Sequence, residues 1–156
     1  MCAQTNFDFN RMEIDLYNLW PIDGELNGLR SNYSMAQISV DEQSEVVVKA
    51  PLVKTKERKS QLITFGGCKA KVDGRKFEPM HEFKGIVARD YMYMDQTYPG
   101  HGIISGKNGK LFEAWDKEHP AGDWECRRAE KIKALQQNEN EVLKSRYALF
   151  FKGSGR

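Results

Sequence analysis

Cysteine is scarce in this chain. Cys2, Cys68 and Cys126 are the whole supply in 156 residues. An odd number at wide spacings argues against a disulfide framework and makes a reducing cytosol the expected home. Long apolar runs are missing as well. The longest, EVVVKAPLV and YALFF, fall far short of the ~20 residues that span a bilayer. No membrane segment is expected. The first residues, MCAQTNFDFNRMEID, show no basic stretch leading into an apolar one, so no secretion signal is expected either.

Catalytic and metal-binding motifs are also absent. Cys68, His81, His101, His119 and Cys126 are the soft ligands of the middle and end of the chain, with no C-x-x-C or H-x-x-x-H among them. That argues against structural zinc, and no metal or other cofactor is expected. GHGIISGKNGK carries four glycines and two lysines, but Gly106-Lys107 is followed by Asn108. The phosphate-cradling signature needs Ser or Thr there and a helix opening behind it. Asp90, Asp95, Glu113, Asp116, Glu118 and Asp123 match no metal-dependent nuclease spacing. The chain therefore reads as a non-catalytic protein.

What is present is a globular composition. Hydrophobic residues make up 40% and aromatics 11%, enough for one domain with a core. A mean hydropathy of -0.67 implies a small core with long exposed loops. The net charge of +2 hides an asymmetry. Residues 1–50 hold three basic and eight acidic residues, whereas residues 51–89 hold ten basic and four acidic. Such a split suggests that the middle of the chain meets an anion, or that the two parts attract each other.

Along the chain, 1–12 reads as a flexible arm, 13–151 as a single β-rich domain and 152–156 as a flexible tail. PIDGELNG reads as consecutive turns. SMAQISV, EVVVKAPLV, QLITFGG, HEFKGIVARDYMYM, KLFEAW and RYALFF read as strands. WECRRAEKIKALQQNENEVLKSR is the helix, with Asp123 as its cap and a QQNENE half expected to be exposed. The fold class is α+β: a small OB-like barrel or curved antiparallel sheet with one C-terminal helix packed on it.

CKAKVDGRKFE is the clearest local signal, a hairpin turning at Asp73-Gly74. That turn sets Lys71 opposite Lys76 and Lys69 opposite Glu78. Cys68, Ala70, Val72 and Phe77 then share the inward face. Opposed lysines repel unless an anion lies between them or both splay into water. The adjacent KTKERKS adds Lys54, Lys56, Arg58 and Lys59. In an extended 81–94, Arg89, Tyr91 and Tyr93 share one face, the combination that stacks on bases and holds phosphate.

The run LITFGGCKAKVDGRKFEPMHEFKGIVARDYMYMDQTYPG, residues 62–100, resembles phage-encoded single-stranded-DNA-binding proteins. The resemblance implies an OB-like barrel and sequence-tolerant strand binding. The reading is a cytoplasmic, non-enzymatic binder of single-stranded DNA or RNA. Its site is Lys54, Lys56, Arg58, Lys59, Lys69, Lys71, Lys76, Arg89, Tyr91 and Tyr93. The alternative is a small phage or mobile-element protein that inhibits a host protein. A final strand with a free edge would also allow a homo-oligomer.

Overall fold

The hairpin forms with its turn one residue further along than expected, which shifts the cross-strand pairing by two. In the computed structural model, which describes residues 11–39, 45–47, 61–65 and 68–145, Lys71 pairs with Glu78, Val72 with Phe77 and Asp73 with Lys76. The turn is Gly74-Arg75, and Gly74 takes φ +58°, a left-handed conformation open to glycine. Lys71 thus meets a carboxylate instead of a second lysine. Moving the turn by one residue leaves the facing of the side chains unchanged. Ala70 and Phe77 stay buried, as the alternation requires.

The chain divides into two units, Pro21–Phe83 and Met1–Trp20 with Lys84–Arg156. The Pro21–Phe83 unit opens with helix α1 (Gly24–Arg30). Here PIDGELNG makes a helical turn rather than consecutive β-turns, because Asp23 caps it. The Asp23 side chain accepts from the backbone N–H of Leu26 at 3.2 Å, which satisfies a donor that a helix start leaves over. A five-stranded sheet follows: β1 (Ser34–Met35), β2 (Glu45–Val47), β3 (Gln61–Phe65), β4 (Cys68–Asp73) and β5 (Lys76–Glu78), in the order β1-β5-β4-β3-β2. The β3-β4-β5 meander is antiparallel, and β1 and β2 join its two sides in parallel. Among the described residues the two ends of the sheet do not pair with each other. Met35, Ile63, Ala70 and Phe77 are buried apolar residues of its strands, and Ile38, just after β1, is buried as well.

The other unit is helical where strands were expected. α2 (Lys84–Thr97) replaces the strand HEFKGIVARDYMYM, and α3 (Gly106–Glu118) replaces the strand KLFEAW. Tyr-Met alternation over 91–94 mimics a period of two. The buried residues Lys84, Gly85, Ala88, Arg89, Asp90, Tyr93 and Met94 instead fall in groups that recur about once per helical turn, which is one side of a helix. Phe112, Trp115 and Asp116 do the same in α3. α4 (Asp123–Gln136) is capped at Gly122 with no side-chain cap bond, so Asp123 is its first residue and not the expected cap, and it stops earlier than expected; a short helical segment follows at 141–145.

Met12, Tyr17, Tyr93, Met94 and Ile132 form the core of this unit. The rings of Tyr17 and Tyr93 meet at 4.8 Å. Tyr91 stacks on Phe112 at 4.7 Å. α2 and the end of α3 touch at Gly85, where a Cβ would sit 2.1 Å from the backbone oxygen of His119. The expected strand over 146–151 lies outside the described residues.

Candidate functional site

Two buried polar centres organise the helical unit. The first surrounds Arg89, which lies inside the helix packing at 2% exposure. Its Nε and Nη2 donate to Glu125 at 2.7 and 2.6 Å. Its Nη1 donates to Asp116 at 2.9 Å and to the backbone oxygen of His119 at 2.7 Å. Burial works against the guanidinium charge, but the bonds to Glu125 and Asp116 outweigh it and raise the pKa. A planar fork with several donors suits this job, and lysine could not copy it.

Asp90, the next residue of α2, is fully buried and its pKa is pushed up to about 7. Burial is the largest cause. The Glu125 charge adds to the rise, while the Arg128 charge and the Trp20 side chain pull it down.

The second centre is Asp15. Its carboxylate accepts from the Tyr17 backbone N–H at 2.9 Å and from the hydroxyls of Tyr93 and Tyr98 at 2.8 and 2.9 Å. The Gln136 amide donates to it at 3.0 Å. Asn138 in turn donates to the Tyr93 hydroxyl at 2.7 Å. Gln137 takes φ +59° and closes α4, which turns Asn138 back onto this centre. Asn140 then caps the segment at 141–145, accepting from the Leu143 N–H at 3.0 Å. The QQNENE stretch, expected to be exposed, is therefore part of the packing. A cluster of uncharged amides after an amphipathic run was the available signal, since amides suit caps and buried networks.

These centres decide the fate of the expected stacking face. Arg89 and Tyr93 are buried and Tyr91 is covered by Phe112, so the three do not form an open surface. The reason is helical: residues 89 and 93 are one turn apart and face the core together. Lys54, Lys56, Arg58 and Lys59 lie outside the described residues.

The hairpin lysines belong to the other unit. Lys71 donates to Glu78 at 3.4 Å and to the backbone oxygen of Ile38 at 3.1 Å. Glu78 is buried and also accepts from the Ile38 N–H and from Gln37. Lys71 is thus a positioning cation for the β1 side of the sheet. Lys69, Arg75 and Lys76 are exposed; Arg75 and Lys76 lie at the turn, and Lys69 lies toward the other end of β4, opposite Thr64.

Aromatic and cationic groups do meet at the surface, at a place the alternation did not indicate. Trp20 and Trp124 approach at 5.7 Å between ring centroids, tilted by 43°. The Arg128 guanidinium lies 3.7 Å from the Trp20 ring centroid. It is held there by the backbone oxygens of Leu16 and Leu19 at 2.7 and 2.6 Å. Among the described residues no group of three or more His, Cys, Asp or Glu is arranged to hold a metal ion.

The sequence model of the Endonuclease I family matches residues 1–145. The chain belongs to that family. An extracellular deoxyribonuclease of Aeromonas hydrophila is 34% identical over 146 residues, 91% of this chain and 54% of that protein. Endonuclease-1 of Buchnera aphidicola subsp. Acyrthosiphon pisum (strain APS) is 33% identical over 137 residues, 86% of this chain and 46% of that protein. A periplasmic deoxyribonuclease of A. hydrophila is 33% identical over 140 residues, 87% of this chain and 49% of that protein. The chain spans about half the length of these relatives.

Membership in Endonuclease I overturns four expectations. The family and its relatives' names point to an enzyme, where a non-catalytic binder or a host-protein inhibitor was expected. The phage single-strand-binder resemblance gives way too. It rested on common residue types, and its last strand is α2. Relatives named extracellular and periplasmic displace the cytoplasmic expectation. Scattered cysteines were too weak a guide to compartment: Cys126 is buried as a free thiol, where a cysteine packs as a small hydrophobe.

Proposed function

We propose that this chain is part of a deoxyribonuclease that cuts within DNA strands and works outside the cytoplasm. The observation that carries the reading is the family match over residues 1–145, with relatives named deoxyribonucleases. The exposed cations of the hairpin support it. Arg75 and Lys76 lie at its turn, and Lys69 lies toward the other end of β4, opposite Thr64. Such cations bind phosphates without reading sequence and release counterions as they do so. Lys71 keeps the hairpin in register through Glu78 and contributes to binding indirectly.

Incubation with supercoiled plasmid tests the activity. The expected result is conversion to open circles and then to linear fragments, with the ends of a linear duplex left no more sensitive than its interior. Intact plasmid at stoichiometric protein would overturn the reading. Lys69→Glu combined with Lys76→Glu is expected to weaken DNA binding at least tenfold at low salt. It should also flatten the dependence of affinity on salt by about two contacts' worth. An unchanged salt slope would remove the hairpin from the interface.

A further inference from the structure

We infer that Trp124, with Trp20 and Arg128 beside it, is a stacking site for an unpaired nucleobase. The inference rests on the deoxyribonuclease reading and adds a contact class to it. Trp124 stands in the first turn of α4 at 57% exposure, so a large apolar ring faces water. The Trp20 ring at 5.7 Å is tilted by 43°, and the pair makes a wedge instead of a closed stack. Arg128 occupies the Trp20 ring at 3.7 Å and is anchored by two backbone oxygens. Its position is set before any ligand arrives. Burial depresses its pKa, and the charges of Asp90 and Glu125 counter this only in part. Trp124 is left as the open platform.

The flanking charge selects the occupant. Arg127 follows at 65% side-chain exposure, paired with an equally open Asp123 at 2.8 Å. Such a pair is screened and weak in water, so Arg127 can exchange it for a phosphate at little cost. An indole platform with a cation held at its neighbour and a second cation free to move matches a base with its attached phosphate. Ile14, Leu19 and Leu135 are also exposed in this unit, but the cations beside Trp124 favour a base with its phosphate over an apolar protein partner. Duplex DNA hides the faces of its bases. The site therefore engages frayed, nicked or single-stranded DNA.

The test measures binding of a phosphorothioate single-stranded 12-mer and of the corresponding duplex, with an abasic single strand of equal charge as a third probe. Trp115 is buried, so quenching of tryptophan emission by the single strand reports on Trp20 and Trp124. Trp124→Ala is expected to lower single-strand affinity about 5- to 150-fold, the range for loss of one stacked base. Duplex and abasic affinities should change less than twofold. Trp124→Phe should retain most of the single-strand affinity. Circular dichroism checks that both variants fold. Equal losses on all three probes, no loss on any, or wild-type emission unmoved by the single strand would each overturn the inference. Plasmid cutting separates the two proposals. Cutting without a Trp124 effect sinks only the stacking site, whereas a selective Trp124 effect without cutting sinks only the nuclease.

Discussion

The guanidinium of Arg89 grips the carboxylate of Glu125 at both ends, Nε to Oε1 at 2.7 Å and Nη2 to Oε2 at 2.6 Å. Both side chains are almost wholly buried. Removing one partner leaves the other's charge in a poorly solvated place, which typically costs about 3–5 kcal/mol. Arg89→Leu should therefore lower the urea midpoint severely. Arg89→Lys should recover little, because a single ammonium cannot serve Glu125, Asp116 and the His119 oxygen together. A lysine variant as stable as the wild type would contradict this account of α2 and α4 packing.

Asp15 gives a graded prediction. Tyr93→Phe removes a bond to a carboxylate and strands the Asn138 amide, for an expected loss of about 1–3 kcal/mol. Tyr98→Phe removes one bond at a wetter position and should cost less. In the double variant Asp15 retains the Tyr17 N–H and the Gln136 amide, so the loss in the double variant should exceed the sum of the two single losses by at least about 0.5 kcal/mol. Chemical denaturation of the four proteins closes the cycle. Burial, with the Asp15 bond and charge, also pushes the Tyr98 hydroxyl up to about 12. Its phenolate absorbance should appear late in an alkaline titration; strictly additive losses together with a Tyr98 phenolate at the ordinary 10.0 would dissolve the hub.

Asp90 sets a pH dependence. Its carboxyl titrates at about 7 in the folded chain against an ordinary 3.8. The folded state thus holds its proton over a range in which the unfolded state has released it. The contribution of Asp90 to stability is complete below about pH 4 and is lost as pH rises through 7. By linkage the slope approaches one proton between those limits. Asp90→Asn should remove this segment of the stability–pH curve and make the protein comparatively more stable above pH 7. A variant with the same slope as the wild type would assign the proton to another group.

Two glycines make opposite predictions. A methyl at Gly85 would meet the His119 backbone oxygen at 2.1 Å and Arg89 Nη1 at 3.0 Å. Backbone cannot turn away, so Gly85→Ala should cost about 1–3 kcal/mol or more by forcing α2 and α3 apart. Gly109 in α3 has only an ordinary contact, 3.7 Å to Ile104. Gly109→Ala should raise the melting temperature slightly, through up to ~1 kcal/mol of helix propensity. Equal responses to the two changes would show that the α2–α3 approach is looser than described.

Local patterns carried some elements and not others. QLITF, CKAKV and KFE became strands because β-branched and alternating residues flanked a glycine turn. The start of α4 was legible because Asp123 precedes a helical spacing of Ala129, Ile132 and Leu135. The register of the hairpin was not, since Asp73-Gly74 and Gly74-Arg75 are both workable turns. The choice between them falls to the Lys71–Glu78 pair and the buried contacts of Glu78 with 37 and 38. α2 was misread because GIVARDYMYM fits a strand's alternation and a helix's spacing about equally, and only the surfaces packed against it separate the two.

The amino-acid sequence by itself determined the basic hairpin, the strands around it and the onset of the last long helix, because those depend on neighbours a few residues apart. Only the tertiary structure decided which polar groups are internal. Tyr93 turns inward to Asp15, 78 residues away, and Arg89 to Glu125, 36 residues away. Arg128 settles on Trp20 through carbonyls at 16 and 19. A tyrosine or arginine satisfies water and a buried carboxylate equally well, and its place is fixed by whichever partner the fold brings within bonding distance.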